Sequence, residues 1–148
     1  MFQDTIKITG DLTITLTDQQ GNVKDRRDVK NLVVTAGKIL IASRLVNGSD
    51  PVPGWMELGT SNTAAAVGQT ALVSPISGSR TALSGTSRVN NVITYTTTFV
   101  EGVGTGAITE AGIFNAASGG TMLCRTVFGT VTKEVSDVLT VNWNLTIN

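Results

Sequence analysis

Four short stretches hold the residue types best suited to chemistry. Gly102-Val103-Gly104-Thr105-Gly106 has the glycine spacing of a loop that cradles phosphate. Such a loop needs a helix N-terminus behind it, and a P-loop needs a lysine as well. The following residues, Ile108 to Phe114, read as a strand, so a plain hairpin or bulge loop is expected. Asp18 to Asn22 resembles a calcium loop but lacks the spaced acidic ligands and the closing Glu, which leaves a turn. Glu110 and Arg125 fall on diagonal positions across a predicted hairpin, where an ion pair is structural and worth little if exposed. A catalytic carboxylate needs a second titratable partner, and none lies nearby in sequence. Cys124 alternates with Met122, Thr126 and Phe128 on an apolar run, which predicts a buried, inert thiol.

Composition removes most other chemistry. Histidine is absent and there is 1 Cys, which excludes Ser-His and Cys-His catalysis, an intrachain disulfide and structural zinc sites built from several Cys or His ligands. The expectation is a protein that is not an enzyme, with no catalytic residue, no cofactor and no metal. Lys plus Arg is 11 and Asp plus Glu is 11, so the basic excess of a nucleic-acid or membrane-surface binder is missing. No apolar run is long enough to span a membrane, and the first residues lack the pattern of a secretory signal, so synthesis in a reducing cytoplasm is expected.

The elements that must position these residues are strands. β-branched residues dominate, with 16 Gly to supply turns, on a chain whose length of 148 suits one domain. Ile6, Ile8, Leu12, Ile14 and Leu16 alternate, with a bulge or bend expected at Gly10-Asp11. Val23 to Val34 returns as the second arm of a hairpin. Its Lys24, Asp25, Arg26, Arg27, Asp28 and Lys30 read as a solvated edge strand, and a functional basic patch is the sharper alternative. Thr35 is placed as the N-cap of one short helix whose Ile39, Ala42, Leu45 and Val46 face the core. Trp55 to Thr60 is a strand with Met56 and Leu58 inward. Trp55 is then either an exposed anchor for a partner or a ring packed under the Pro51–Pro53 loop. Ser61 to Pro75 is a long excursion. Strands are expected at Arg80–Arg88, Val92–Val100, Ile108–Phe114 and Thr121–Phe128. In the last strand Leu139, Val141, Trp143, Leu145 and Ile147 alternate with polar residues, placing Trp143 in the core. The sum is one mainly β domain, an antiparallel sandwich or barrel-like fold with one short helix.

Several motifs in order carry a resemblance over nearly the whole chain: Trp55-Met56-Glu57-Leu58-Gly59-Thr60, Ala66-Val67-Gly68-Gln69-Thr70-Ala71-Leu72, Ile108-Thr109-Glu110-Ala111-Gly112-Ile113-Phe114-Asn115, Gly119-Gly120-Thr121-Met122-Leu123-Cys124-Arg125-Thr126 and Val131-Thr132-Lys133. The chain resembles small virion proteins of tailed bacteriophages, described as head decoration (cement) or tail-fibre-associated proteins. The resemblance implies a structural part of a phage particle and no catalysis. As a decoration protein it would bind the major capsid protein and copies of itself on the outside of the head, most naturally as a trimer at threefold positions. As a tail or fibre component it would contact tail proteins or a surface glycan. Phe2, Ile6, Ile8 and Trp55 are the expected interface residues. Residues 1–10 form either an arm that pairs with a neighbour or the start of a strand in the chain's own sheet.

Overall fold

A computed structural model describes residues 4–148. The chain folds into two antiparallel five-stranded sheets packed face to face with one helix at their side, a β-sandwich and not a closed barrel. In chain order the elements are β1 (Ile8–Thr17), β2 (Val23–Lys30), β3 (Leu32–Val33), α1 (Thr35–Leu45), β4 (Trp55–Gly59), β5 (Thr81–Ala82), β6 (Gly85–Val89), β7 (Val92–Phe99), β8 (Gly106–Phe114), β9 (Met122–Lys133) and β10 (Val138–Ile147). The first sheet runs β2-β1-β10-β7-β6 and the second β3-β9-β8-β4-β5.

The strict alternation of β10 puts Leu139, Val141, Trp143 and Leu145 on the inner face, all buried. Their cross-strand partners match in kind: Leu12, Ile14 and Leu16 on one side, Tyr95, Thr97 and Phe99 on the other. Met56, Leu58, Ala111, Ile113 and Cys124 of the second sheet close the core from below. The outer face of β7 and β10 is polar without charge, whereas Asp11 of β1 and Arg26, Asp28 and Lys30 of β2 bring charge to the outer face nearer the β2 edge. Thr94 donates to Asn144 at 2.7 Å and Thr96 to Asn142 at 3.0 Å, so hydroxyl–amide pairs tie β7 to β10 across this face.

The structure departs from the sequence expectations at five places. Gly10-Asp11 is neither bulge nor bend: β1 pairs with β10 in unbroken register from Ile8 to Thr17, and the irregularity lies at Leu16/Thr17 against β2. Gly10 is needed because a Cβ there would occupy the place of the Asn31 side chain. Of the two readings of residues 1–10, the strand in the chain's own sheet is the one found from Lys7 onward. Lys7 and Asn148 exchange main-chain hydrogen bonds of 3.0 and 2.7 Å, which ties the start of the chain to its own β10. The expected arm Val23–Val34 divides at Asn31, β2 staying in the first sheet while β3 crosses to pair with β9 in the second. Arg80–Arg88 divides in the same way into β5 and β6. The glycine loop at 102–106 links β7 in one sheet to β8 in the other, so it is a crossover and not a hairpin.

The helix is the fifth correction. Its cap is Val34 with no side-chain cap bond, not Thr35. Its inward face is Gly37, Leu40 and Ile41, while Ile39, Leu45 and Val46 are 66, 84 and 81% exposed and Ala42 is exposed as well. Gly37 decides the orientation. A Cβ at that position would run into the main-chain carbonyl of Leu123 in β9, so the helix rests on the sheet through a residue with no side chain. Closeness to β9, rather than the more apolar stripe, fixes which face turns inward.

Candidate functional site

Glu110 and Arg125 form the most heavily bonded polar group in the molecule. They lie on the outer face of the second sheet, diagonal to one another in the β8–β9 register, and both side chains are wholly buried. Arg125 donates from Nε and Nη2 to Glu110 Oε2 at 2.9 and 2.7 Å. The main-chain N–H groups of Val73, Ser74 and Ser61 donate to the same carboxylate at 3.1, 2.7 and 3.3 Å. Arg125 Nη1 donates to Thr63 O and to Gln69 Oε1. Gly59 leaves room for the carboxylate, which a Cβ would strike. The pair thus fastens the 61–75 excursion onto the sheet, and no oxygen of Glu110 is left to meet a substrate. The structural ion pair expected from the spacing is present, and it is buried.

The remaining sequence candidates take structural positions as well. Asp18 accepts from the N–H groups of Gln20 and Asn22, both at 2.9 Å, and these bonds, Asn22 foremost, hold its carboxyl below the usual range. Cys124 is fully buried, and burial pushes its thiol upward from the ordinary value. β2 forms an edge of the first sheet, and three of its four basic residues are neutralised in place. Arg27 binds Asp25 through two bonds of 2.9 and 3.1 Å, Arg26 meets Asp28 at 3.1 Å, and Lys24 meets Asp137 at 2.8 Å. Among the described residues no three His, Cys, Asp or Glu side chains come together as metal ligands.

The surface feature with binding character lies beside α1. There the sandwich is open, and a cavity of about 430 Å³ runs between the inner face of the first sheet and the helix. Ile8, Ile93, Tyr95, Leu145 and Ile147 form its floor, Leu40, Ile41 and Leu45 one wall, and Val52 and Pro53 the other. Polar groups are few. Arg44 stands at the rim, occupied by bonds of 2.9 Å to the carbonyls of Gly48 and Asp50. Burial raises the Tyr95 hydroxyl to about 12, so it stays protonated. The exposed stripe of Ile39, Ala42, Leu45 and Val46 continues the apolar surface over the outside of the helix.

The expected interface residues divide across this geometry. Ile8 lies in the cavity floor, and Ile6 is exposed just beyond it. Phe2 lies outside the described residues. Trp55 is elsewhere: it points away from the main core, as alternation requires, but packs half-buried on a second cluster of Val34, Leu72, Phe114 and Met122. The 61–75 excursion supplies Leu72 to that cluster, so the ring is packed against buried residues and not freely presented. Leu45, Val46 and Val52 were missed, although a helix carrying two apolar stripes signals that one of them must remain outside.

No protein-family model matches the chain, and no curated protein or solved structure matches it either.

Proposed function

We propose that this chain is a structural protein of a tailed-bacteriophage particle, one that binds the outside of the head and reinforces it. The observation that carries this reading is the continuous apolar surface formed by the cavity and the outer stripe of α1 on a body of zero net charge. Exposed apolar area of that kind marks a protein contact, and an apolar segment of the major capsid protein is the occupant. A shell of identical subunits offers the same contact many times, so moderate affinity at each copy becomes firm attachment through multivalency. The resemblance to head decoration and tail-fibre-associated proteins supports the particle. It does not choose the location, because the resemblance extends to both head decoration and tail-fibre-associated proteins.

A cryo-EM map of the particle tests the location. Density for this chain is expected over the head lattice in many copies. Density confined to the tail or its fibres would replace the head assignment with a tail one. Particles lacking the protein should assemble and lose DNA more readily on heating. Particles that hold their DNA normally but fail to adsorb to cells would point to attachment instead.

A further inference from the structure

The first sheet ends in two unlike edges. β2 carries six charged side chains, an arrangement that discourages strand addition. β6 carries one, Arg88, and all five of its residues are exposed. The second sheet offers no comparable template, since its edge strands β3 and β5 have two residues each.

Register tells which groups of β6 are free. Ile147 N–H donates to Asn91 O, so odd-numbered residues of β7 turn their main-chain groups toward β10 and even-numbered ones toward β6. Val92, Thr94 and Thr96 therefore bond to Val89, Ser87 and Gly85, their partners in β6. Thr86 and Arg88 then aim their N–H and C=O groups away from the sheet. Among the described residues nothing hydrogen-bonds to these four groups.

We propose that β6 pairs antiparallel with β6 of a second copy about a twofold axis at Ser87, joining the two first sheets into one of ten strands. In this register Thr86 of each copy lies opposite Arg88 of the other, and the four free main-chain groups on each copy are satisfied together. The two Arg88 side chains lie diagonally and not directly opposite one another, which avoids the least favourable placement of like charges. Val89, 70% exposed in one copy, comes to lie over the open space at Gly85 of the other. Zero net charge lets two copies approach without mutual repulsion. The charged β2 edge stops further addition, so assembly closes at two instead of growing into a fibre. The twofold symmetry of the edge favours a dimer over the trimer expected from the sequence. This inference is independent of where the protein sits in a particle.

Sedimentation velocity and native mass spectrometry of the purified full chain test it. The wild type should be a dimer, and Arg88→Pro, which removes an outward N–H and no bond to β7, should be a monomer with an unchanged circular dichroism spectrum. Arg26→Ala on the opposite edge should remain dimeric. Should Arg88→Pro fail to fold, hydrogen exchange of the wild type decides: the Thr86 and Arg88 amides should be protected, and increasingly so with concentration. A monomer or a trimer at the highest soluble concentration would overturn the proposal. So would a dimer in which those two amides exchange freely.

Discussion

The Glu110 carboxylate is out of water, and its stability there depends on Arg125 and on three main-chain donors from the 61–75 excursion. Removing one member leaves the other charge buried without compensation, which typically costs about 3–5 kcal/mol. Arg125→Met and Glu110→Leu should each lower the unfolding free energy measured by urea denaturation by such an amount, and the double variant should lose clearly less than their sum. Equal and additive losses would mean that the two groups are not coupled. Trp143, wholly buried between Leu12 and Tyr95, is limited by packing in contrast. Trp143→Ala should cost roughly 3–5 kcal/mol, as large-to-small changes in cores do. Asn142→Ala, one residue away on the outer face, gives up only an exposed bond from Thr96 and should stay below about 1 kcal/mol. Similar small losses at both positions would contradict the register of β10.

Between residues and the whole molecule stand the strands, and here the sequence was legible in proportion to how local the cause is. Period-two alternation reveals β10, β1 and β7 because each has one buried face. It cannot reveal that Asn31 or the Leu83–Ser84 step carries the chain from one sheet to the other, since each crossing depends on a partner strand far away in sequence. The helix shows the same limit: both stripes are apolar, and only the contact of Gly37 with Leu123 separates them. Gly37→Ala should therefore displace α1 at a cost of roughly 1–3 kcal/mol, the range of overpacking, with loss of helix protection in hydrogen exchange. The spacing of Glu110 and Arg125 was visible, whereas their burial was not, because the cover comes from a segment without periodicity. The junction of β2 with the β9–β10 turn carries a pH dependence. Lys24, and then the N–H of Glu134, hold the Asp137 carboxyl below its ordinary 3.8. A depressed folded value means the contribution is complete above that pH and vanishes as pH falls through the folded value. Asp137→Asn should accordingly flatten the acid limb of a stability–pH curve while leaving its slope above pH 6 unchanged.

For the molecule as a whole, the question is which surface the fold leaves adhesive. The outer face of β7 and β10 is satisfied by threonine–asparagine pairs, β2 is largely closed by ion pairs, the β6 edge is taken up by the proposed pairing, and Trp55 is packed on the second cluster. The cavity and the outer stripe of α1 have no such cover. Leu45 is the most telling position, because it lines the cavity yet is 84% exposed. A charge placed there meets water in the free protein and an apolar partner in the bound one. Leu45→Glu should leave the melting temperature within the range of ordinary surface changes, about 0.5 kcal/mol in stability. It should also reduce the amount of protein retained on purified heads at least tenfold, which corresponds to about 1.4 kcal/mol per contact before multivalency. Val46→Lys on the same stripe should behave alike. Trp55→Ala should do the reverse, lowering stability through the second cluster while the folded fraction still binds. Retention of Leu45→Glu at the wild-type level, alongside loss of binding by Trp55→Ala at a temperature where it is fully folded, would move the contact to the other side of the sandwich.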